Sequence, residues 1–418
     1  MSELHGESPA CAGGRGHPSG RDIGALFRRH GDAFRRGHAL GAMERRALRD
    51  ISVCRTGALG GHRDVCANCG CEREVYNSCR NRHCPKCQAL RQARWVAGRM
   101  QRALPVRHFH VVFTLPAELR ELVRAHETLL LDLLFASAAE TLLQLARDPK
   151  RLGGLLGITA VVHTWGRNLI FHPHLHCVVT GGGLGADGAW VDSYEKYLLP
   201  VEVLGALFRG KFLDGLARLF EQGKLTVSPR IPERVASLLE PAAFARLKST
   251  LYGKNWVVYT KAPLKKPDAL LRYLGLYTHR VAISNHRILH IDDDHVVFRT
   301  RDKKVCQLTP LEFMRRFLLH VLPFAFVKIR HFGLYAAGNV NSKLAAARSA
   351  IERQSALGET TLAPASAAPL SAMLDWRDLF HKLSGIDLGA CPNCGCAWAS
   401  IPLPHPTHGC RAPPPSES

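Results

Sequence analysis

The sequence predicts an α+β protein with a cysteine-rich, metal-binding module ahead of its main domain. Strand-like stretches of alternating apolar residues are interleaved with longer stretches of helical periodicity. Pairs of cysteines spaced as Cys-x-x-Cys occur near both ends of the chain. Of its 418 residues, 46% are hydrophobic, which is enough for two or three domains with their own cores.

Composition and periodicity predict where the chain divides. Residues 1–20 are rich in Gly, Ser and Pro, which predicts a disordered tail, and Ala, Pro and Ser dominate 355–370, which predicts a linker. An amphipathic helical pattern spans about 22–49, and a basic helix follows the cysteines over 89–104. The predicted divisions are the tail, a helix plus zinc-binding module over 21–104, a main domain over 105–305, a helical region over 306–354, the linker, and a Cys/His tail over 371–418.

The secondary structure of the main domain follows from the same patterns. The predicted strands are 107–116, 158–166, 172–182, 255–263 and a hairpin over 286–302. The predicted helices are 117–147, 203–222, 232–250, 267–278 and, beyond the main domain, 311–322. Thr309 and Glu312 have the spacing of a capping box at the start of the last helix.

The chain is strongly basic. Lys and Arg number 56 against 35 Asp and Glu, which gives a formal charge of +21 and a pI of about 9.7. This excess is typical of proteins that bind polyanions, although a general preference for arginine would account for part of it. Because the sequence lacks a run of 18 uncharged apolar residues and a signal-peptide pattern, we expect a soluble, intracellular protein with no membrane partner.

Seven of the 14 cysteines lie within residues 54–87, which predicts metal binding in a reducing compartment rather than disulfides. The spacing Cys-x2-Cys-x14-Cys-x2-Cys predicts one tetrahedral, structural zinc site, formed by Cys66, Cys69, Cys84 and Cys87. A segment this short has little apolar core, so zinc would supply much of its folding free energy, on the order of 10 kcal/mol.

A second set of potential ligands is interleaved with the first, namely Cys54, His62, Cys79 and His83. Two interpretations stay open: a second zinc site, or buried thiols with surface histidines that touch phosphate. Near the other end, Cys391 and Cys394 form one half of a further knuckle whose second ligand pair the sequence does not identify.

Basic side chains surround the cysteine-rich segment. They predict docking on a nucleic-acid backbone, with a solvated helix face as the alternative for any single one. The residues concerned are Arg80, Arg82, Lys86, Arg91 and Arg94.

The stretch 171-FHPHLHCVVTGGG-183 places histidines at alternate positions of a predicted strand. His174 and His176 therefore share one face, while the apolar residues between and after them face the core. If this strand pairs antiparallel with 158–166, His163 lies opposite and can supply a third metal ligand; His172, beside Pro173, is the alternative. Alone, such a pair of histidines is more often incidental than catalytic.

The predicted helix 267–278 carries Tyr273 and Tyr277 one turn apart on the same face. On the tyrosines alone, an aromatic pair packed on the sheet is the favoured interpretation. Their position in the chain, downstream of the zinc module and the histidines, becomes informative when the order of the motifs is considered.

Four motifs occur in a characteristic order: YNSCRNRHCPKC, HFHVVFTLP, HTWGRNLIFHPHLHCVVTGGG and YLGLYTHRVAISN. In these motifs the chain resembles the IS91-type transposases of the HUH endonuclease superfamily, over roughly residues 45–335. The resemblance implies an HUH core with a central antiparallel sheet flanked by helices. It also implies that His174 and His176 bind the catalytic metal and that Tyr273 and Tyr277 are nucleophiles. The spacing from His163 to His174 is similar to the three-histidine pattern of conjugative relaxases, which supports His163 as the third ligand.

The resemblance further implies a metal-dependent transposase that nicks and rejoins single-stranded DNA through a 5′-phosphotyrosine, in rolling-circle-like transposition. Mg2+ or Mn2+ would be the catalytic ion, and imidazole ligands favour the transition metal. Because a phenol has a pKa of about 10, the attacking tyrosine would need help from the metal, from Arg280 or His279, or from stabilisation of the leaving oxygen. Arg280 would also contact DNA. The partners would be the single-stranded element ends and the target DNA. The protein would act in the bacterial cytoplasm, at the nucleoid. Self-association and contact with host replication factors are left open. The alternatives are a zinc-dependent DNA-binding regulator without catalysis, and a replication initiator or relaxase, although relaxases usually place the tyrosine before the histidines.

Overall fold

The computed structural model of the protein describes residues 21–227, 232–264, 282–300, 302–357 and 387–404. The helices are α1 (Ile23–Gly37), α2 (Ala42–Val53), α3 (Ala89–Met100), α4 (Arg120–Ala125), α5 (Glu127–Arg147), α6 (Val201–Glu221), α7 (Glu233–Ala236), α8 (Pro241–Tyr252), α9 (Pro310–Leu318) and α10 (Lys343–Ala356). The strands are β1 (Gly61–Cys66), β2 (Glu72–Tyr76), β3 (His108–Thr114), β4 (Gly154–Leu155), β5 (Gly157–Trp165), β6 (Phe171–Thr180), β7 (Gly182–Gly185), β8 (Trp190–Asp192), β9 (Val258–Leu264), β10 (Ile288–Ile291), β11 (Val296–Arg299), β12 (Val305–Leu308), β13 (Ile329–Gly333) and β14 (Trp398–Pro402). The predicted tail 1–20 and the predicted helix 267–278 lie outside the described residues.

The chain forms two compact units, each assembled from separate stretches of sequence. The first contains the described residues of Met1–Arg94, His279–Val321 and Leu370–Ser418. The second contains those of Trp95–Thr278 and Leu322–Pro369.

The second unit is built on a five-stranded sheet with the order β13-β5-β6-β3-β9. Every neighbouring pair in it is antiparallel. Helices α4, α5 and α6 pack against this sheet. The predicted α+β class, with an antiparallel sheet flanked by helices, is confirmed.

The two faces of this sheet differ in chemistry because side chains alternate along each strand. Phe113 of β3 and Cys177 of β6 are fully buried on the helix-covered face, where Phe113 meets Phe208 of α6 edge-on at 4.9 Å. The other face, which we call the histidine face, carries the histidines of β3, β5, β6 and β13, as the strand registers require.

The predicted helix 117–147 is interrupted at His126, whose φ of −122° and ψ of 48° separate α4 from α5. Its ring nitrogen Nε2 lies 3.0 Å from the carbonyl oxygen of Thr226, a tertiary contact that local periodicity does not encode. Helix α5 is long and apolar enough to cross a membrane by length and composition alone, but 61% of its most apolar window is buried inside the protein, as in a core helix.

The first unit begins with two helices where the pattern predicted one, because the chain is extended between α1 and α2. The Asp22 side chain caps α1 by accepting hydrogen bonds from two backbone amides. Phe27 of α1 packs edge-on against Phe317 of α9, with ring centroids 5.3 Å apart. Thr309 caps α9 as predicted, by accepting a hydrogen bond from the Glu312 amide.

Two small antiparallel sheets complete the first unit. One contains β10, β11 and β12, in agreement with the predicted hairpin. The other has the order β14-β1-β2 and pairs the C-terminal strand with the cysteine-rich segment.

Candidate active site and cysteine clusters

Three histidines converge on the histidine face of the five-stranded sheet. His163 of β5 lies opposite His174 of β6 in the antiparallel register, and His176 follows two residues later. The potential ligand nitrogens of these three side chains all lie within 4.8 Å of one another. His163 is completely buried and His176 is nearly so. The structure therefore brings together the three residues expected to bind a catalytic metal.

A backbone carbonyl fixes the orientation of His174. Its Nδ1 lies 2.7 Å from the carbonyl oxygen of His172. Because a carbonyl oxygen only accepts hydrogen bonds, Nδ1 carries the proton and the lone pair is on Nε2. Metal-binding histidines commonly use this arrangement to fix their tautomer.

His110 is a component of the site that the sequence did not identify as functional. Its Nε2 lies 2.7 Å from Nδ1 of His176, and the planes of the two rings are within 7° of parallel. Burial, and secondly the charge of Lys261, lower the pKa of His110 to about 4, so the ring is neutral at pH 7. A neutral imidazole can accept the Nδ1 proton of His176, which makes Nε2 of His176 the potential ligand atom. The only signal in the sequence was the alternation of His108 and His110 in HFHVVF.

Trp165 and His172 lie beside the three histidines. The Trp165 ring stacks on His163 with centroids 4.5 Å apart. His172 is outside the ligand group; its Nδ1 lies 3.4 Å from a guanidinium nitrogen of Arg120, and burial, followed by the Arg120 charge, lowers its pKa. The alternative third ligand suggested by the sequence is therefore not the one that the geometry favours.

The chemistry of the histidine cluster fits a divalent metal. Three imidazoles form an incomplete coordination sphere, as catalytic metal sites require, and nitrogen ligands favour transition metals such as Mn2+ over Mg2+. Tyr273, Tyr277 and Arg280 lie outside the described residues.

Within the described part of the chain, the cysteines form two clusters of four, and neither is the main predicted set. Cys54, Cys79, Cys84 and Cys87 make up the first cluster. The second joins Cys66 and Cys69 to Cys391 and Cys394. The predicted grouping of Cys66, Cys69, Cys84 and Cys87 is therefore corrected. The reason is topological: β1, which ends at Cys66, pairs with β14 from the far end of the chain.

The first cluster has the surroundings of a structural zinc site. The sulfurs of Cys79 and Cys87 lie 3.8 Å apart, and all four cysteines are free of disulfides. The Lys86 amide donates to the Cys84 sulfur at 3.5 Å, and such N–H groups stabilise thiolate ligands.

The two histidines of the predicted second set are not ligands in either cluster. His62 lies on β1 with its Nε2 3.4 Å from Asp64. His83 is buried, and its backbone amide donates to the Asn81 side chain. The predicted second set therefore agrees with the structure in its two cysteines, Cys54 and Cys79, but not in its two histidines. These cysteines lie with Cys84 and Cys87 in the first cluster.

Two protein-family models match the chain: one described as "Putative transposase" over residues 157–343, and one described as "Transposase zinc-binding domain" over residues 26–115. A putative transposase, y4qJ, of Sinorhizobium fredii (strain NBRC 101917 / NGR234) is 43% identical over 384 residues, covering 90% of this chain and 93% of that protein. The transposase for insertion sequence element IS801 of Pseudomonas savastanoi pv. phaseolicola is 30% identical over 311 residues, covering 70% of this chain and 72% of that protein.

The chain belongs to the IS91 family of transposases. No solved structure matches it. As a transposase it is a DNA-processing enzyme with DNA as its partner. The zinc-binding match contains the whole first cysteine cluster, which supports structural zinc there, whereas Cys391 and Cys394 lie outside both family matches.

The basic residues predicted to contact DNA have different surroundings in this transposase. Arg80, Arg91 and Arg94 are exposed, and Arg82 is partly buried. Lys86 instead forms a 2.6 Å ion pair with Asp22 and donates to the Cys54 carbonyl. Because its charge is neutralised within the fold, Lys86 is better explained as a structural residue than as a phosphate contact.

A shallow cleft lies on the histidine face; the surface that lines it is mostly apolar, and we call it the cationic cleft after its two arginines. Arg99, Arg102 and His331 line it, and no acidic side chain of the described residues does so. Burial, followed by the charges of the two arginines, lowers the pKa of His331 to about 4. His331 lies opposite Thr159, and Thr159 opposite Val178, two positions along β6 from His176. The cleft and the three histidines therefore share one face of the sheet.

Proposed function

We propose that this transposase nicks and rejoins single-stranded DNA at the ends of its element through a 5′-phosphotyrosine intermediate, in a rolling-circle-like reaction. The observation that carries the proposal is the convergence of His163, His174 and His176 on the histidine face. Binding DNA alone would not require three imidazoles whose potential ligand nitrogens lie within 4.8 Å of one another.

His163, His174 and His176 would hold a divalent cation, Mn2+ or Mg2+. When bound, such an ion supplies positive charge to a non-bridging oxygen of the scissile phosphate. His110 and the carbonyl of His172 keep the ligand rings in one tautomer and one orientation.

The nucleophile would be Tyr273 or Tyr277, as the family resemblance implies. The phenolic oxygen attacks phosphorus and forms an ester bond while the bond from phosphorus to O3′ breaks. The tyrosine loses its proton and the departing O3′ gains one, which leaves a 5′-phosphotyrosine and a free 3′-OH. Because the ester keeps the energy of the broken bond, no external energy source is needed for rejoining.

The second tyrosine would allow a second strand to be cleaved while the first strand end is still held. A 3′-OH then attacks a phosphotyrosine, re-forms the bond from phosphorus to O3′ and releases the tyrosine. Cleavage at the element end followed by joining to a target needs two such exchanges, which suits a pair of nucleophiles.

Arg99 and Arg102 would guide the strand along the cationic cleft. Guanidinium groups pair with phosphate oxygens in a bidentate way and carry no preference for base sequence. Lys261 lies on the same face, opposite His110 in the pairing of β3 with β9, and adds a further positive charge beside the histidines.

The experiment incubates the purified full chain with Mn2+ and a labelled single-stranded oligonucleotide carrying a candidate element end. The expected result is a covalent adduct that mass spectrometry maps to a peptide with Tyr273 or Tyr277. The adduct should disappear in the Tyr273→Phe/Tyr277→Phe double variant and in His174→Ala.

The matched control is Tyr194→Phe, because Tyr194 is highly exposed and lies outside the proposed site. This variant should form the adduct as the wild type does. If the wild type gives no adduct with Mn2+ or Mg2+ but still binds the oligonucleotide, the chemistry proposed here is wrong and a DNA-binding role alone remains.

A further inference from the structure

We propose that Cys66, Cys69, Cys391 and Cys394 bind a second structural zinc ion, in a zinc ribbon whose two halves come from distant parts of the chain. Cys69 and Cys391 are separated by 322 positions in sequence, yet their sulfurs lie 3.5 Å apart. This site goes beyond the family match over residues 26–115, because half of its ligands lie outside that match.

The two halves repeat one short motif. Residues 66–71 read Cys-Ala-Asn-Cys-Gly-Cys, and residues 391–396 read Cys-Pro-Asn-Cys-Gly-Cys. Five of these six positions are identical, although the surrounding sequences differ.

The backbone of the two motifs repeats as well. The amide of Gly70 donates to the Cys66 carbonyl at 2.9 Å, and the amide of Gly395 donates to the Cys391 carbonyl at 2.8 Å. Both glycines have positive φ, 67° and 74°, a conformation that side chains with a Cβ rarely adopt. Each motif is therefore a tight turn that presents its first and fourth residues, both cysteines, on one side.

The distances between sulfurs match a tetrahedral zinc site. Zinc–sulfur bonds of about 2.3 Å place the corners of a tetrahedron about 3.8 Å apart. The sulfur of Cys394 lies 3.4 Å from that of Cys66 and 3.6 Å from that of Cys69. All four cysteines are free thiols at distances far longer than the roughly 2.05 Å of a disulfide. Four thiolates in a tetrahedron are the ligand set of zinc or iron, and the zinc-binding family match favours zinc.

Strand pairing holds the two halves together independently of the metal. Strand β14 adds to the edge of β1, with Ser400 opposite Asp64 and Trp398 opposite Cys66. The buried Asp64 carboxylate accepts hydrogen bonds from the Ser400 hydroxyl at 2.5 Å and from Arg73 at 2.9 Å.

Arg73 connects the two halves directly. Its guanidinium also donates to the Leu388 carbonyl at 2.8 Å and stacks over the Trp398 ring at 4.3 Å. The two halves are therefore joined by strand pairing, by hydrogen bonds and by a cation–π contact, in addition to the proposed metal site.

The experiment counts metal ions in the purified full chain by native and elemental mass spectrometry. The wild type should carry two zinc ions per chain. The Cys391→Ser/Cys394→Ser double variant should carry one. The matched control is Cys396→Ser, which changes the third cysteine of the same motif but no member of the cluster, and it should retain two.

A measurement on the wild type covers the case in which the double variant does not fold. After replacement of zinc by cadmium-113, two resonances from all-sulfur sites should appear in the NMR spectrum. One zinc per chain in both the wild type and the folded double variant, a single cadmium resonance, or iron in place of zinc would each overturn the proposal.

Discussion

At the scale of single residues, the proposed metal site depends on neighbouring side chains that are not among its three proposed ligands. His110 contacts His176 on the ring atom opposite the proposed ligand atom. Its replacement leaves the three ligands present but frees the His176 ring to rotate and change tautomer.

We therefore expect His110→Ala to weaken Mn2+ binding by roughly 10- to 100-fold while the protein stays folded. Isothermal titration of the full chain with Mn2+ measures this effect. His295→Ala is the matched control, since His295 lies on the other unit and outside the cluster, and it should bind Mn2+ as the wild type does. An unchanged affinity in His110→Ala would contradict a positioning role.

His108 makes folding dependent on pH. Burial lowers its pKa from 6.5 to about 4, and Nε2 lies 2.9 Å from the Tyr335 hydroxyl, which donates to it in the neutral state. The unfolded chain therefore binds this proton at a higher pH than the folded chain does. The stability is fully present above about pH 6.5 and is lost as the pH falls toward 4, by about 3 kcal/mol for this one group.

Urea unfolding at several pH values between 7.5 and 4 tests this effect. His108→Gln should flatten the dependence of the unfolding free energy on pH, because the titrating group is gone. Tyr194→Phe, at an exposed position, should leave the profile as it is in the wild type. Identical slopes for the wild type and His108→Gln would show that His108 contributes nothing to the pH dependence.

At the scale of elements, the edge strand β13 ends at Gly333, a position that requires glycine. Gly333 has a φ of 60°, and a Cβ there would lie 1.9 Å from the Leu156 carbonyl oxygen. Because the overlapping atom belongs to the backbone of Leu156, no flexible side chain can move away to make room for the Cβ.

Gly333→Ala should therefore lower the unfolding free energy by at least about 2 kcal/mol, since strain and steric overlap act together. Gly338→Ala is the matched control, because a Cβ at that position meets no atom within 4 Å. Thermal and urea unfolding of the two variants give the comparison, and equal stabilities would be incompatible with this geometry.

The end of α3 and the turn that follows it carry the arginines of the cationic cleft. If Arg99 and Arg102 each neutralise one phosphate, the plot of log K for single-stranded DNA against log salt should become shallower by about 1.4 in the Arg99→Ala/Arg102→Ala variant. Fluorescence anisotropy with a labelled oligonucleotide at several salt concentrations measures the slope. Arg246→Ala, an exposed arginine on α8, should leave the slope unchanged, and an unchanged slope in the double variant would remove the cleft from the DNA path.

At the scale of the whole molecule, local patterns predicted the elements better than their associations. Alternation along β6 and one antiparallel pairing were enough to bring His163 to His174, because strand geometry fixes which side chains meet. His110 could not be found in this way, since its role depends on β3 lying beside β6, a long-range pairing. The cysteines were misgrouped for the same reason: spacing along the chain does not reveal that β14 pairs with β1.

The pairing of β14 with β1 also has a consequence for the timing of synthesis. A ribosome that adds about 5–20 residues per second needs roughly 15–65 s to travel the 322 positions from Cys69 to Cys391. During this interval the first pair of thiols has already left the ribosome while the second pair does not yet exist. The first cluster, complete at Cys87, can close early, whereas the second stays open to oxidation or to other metals until Cys391 and Cys394 have been synthesised.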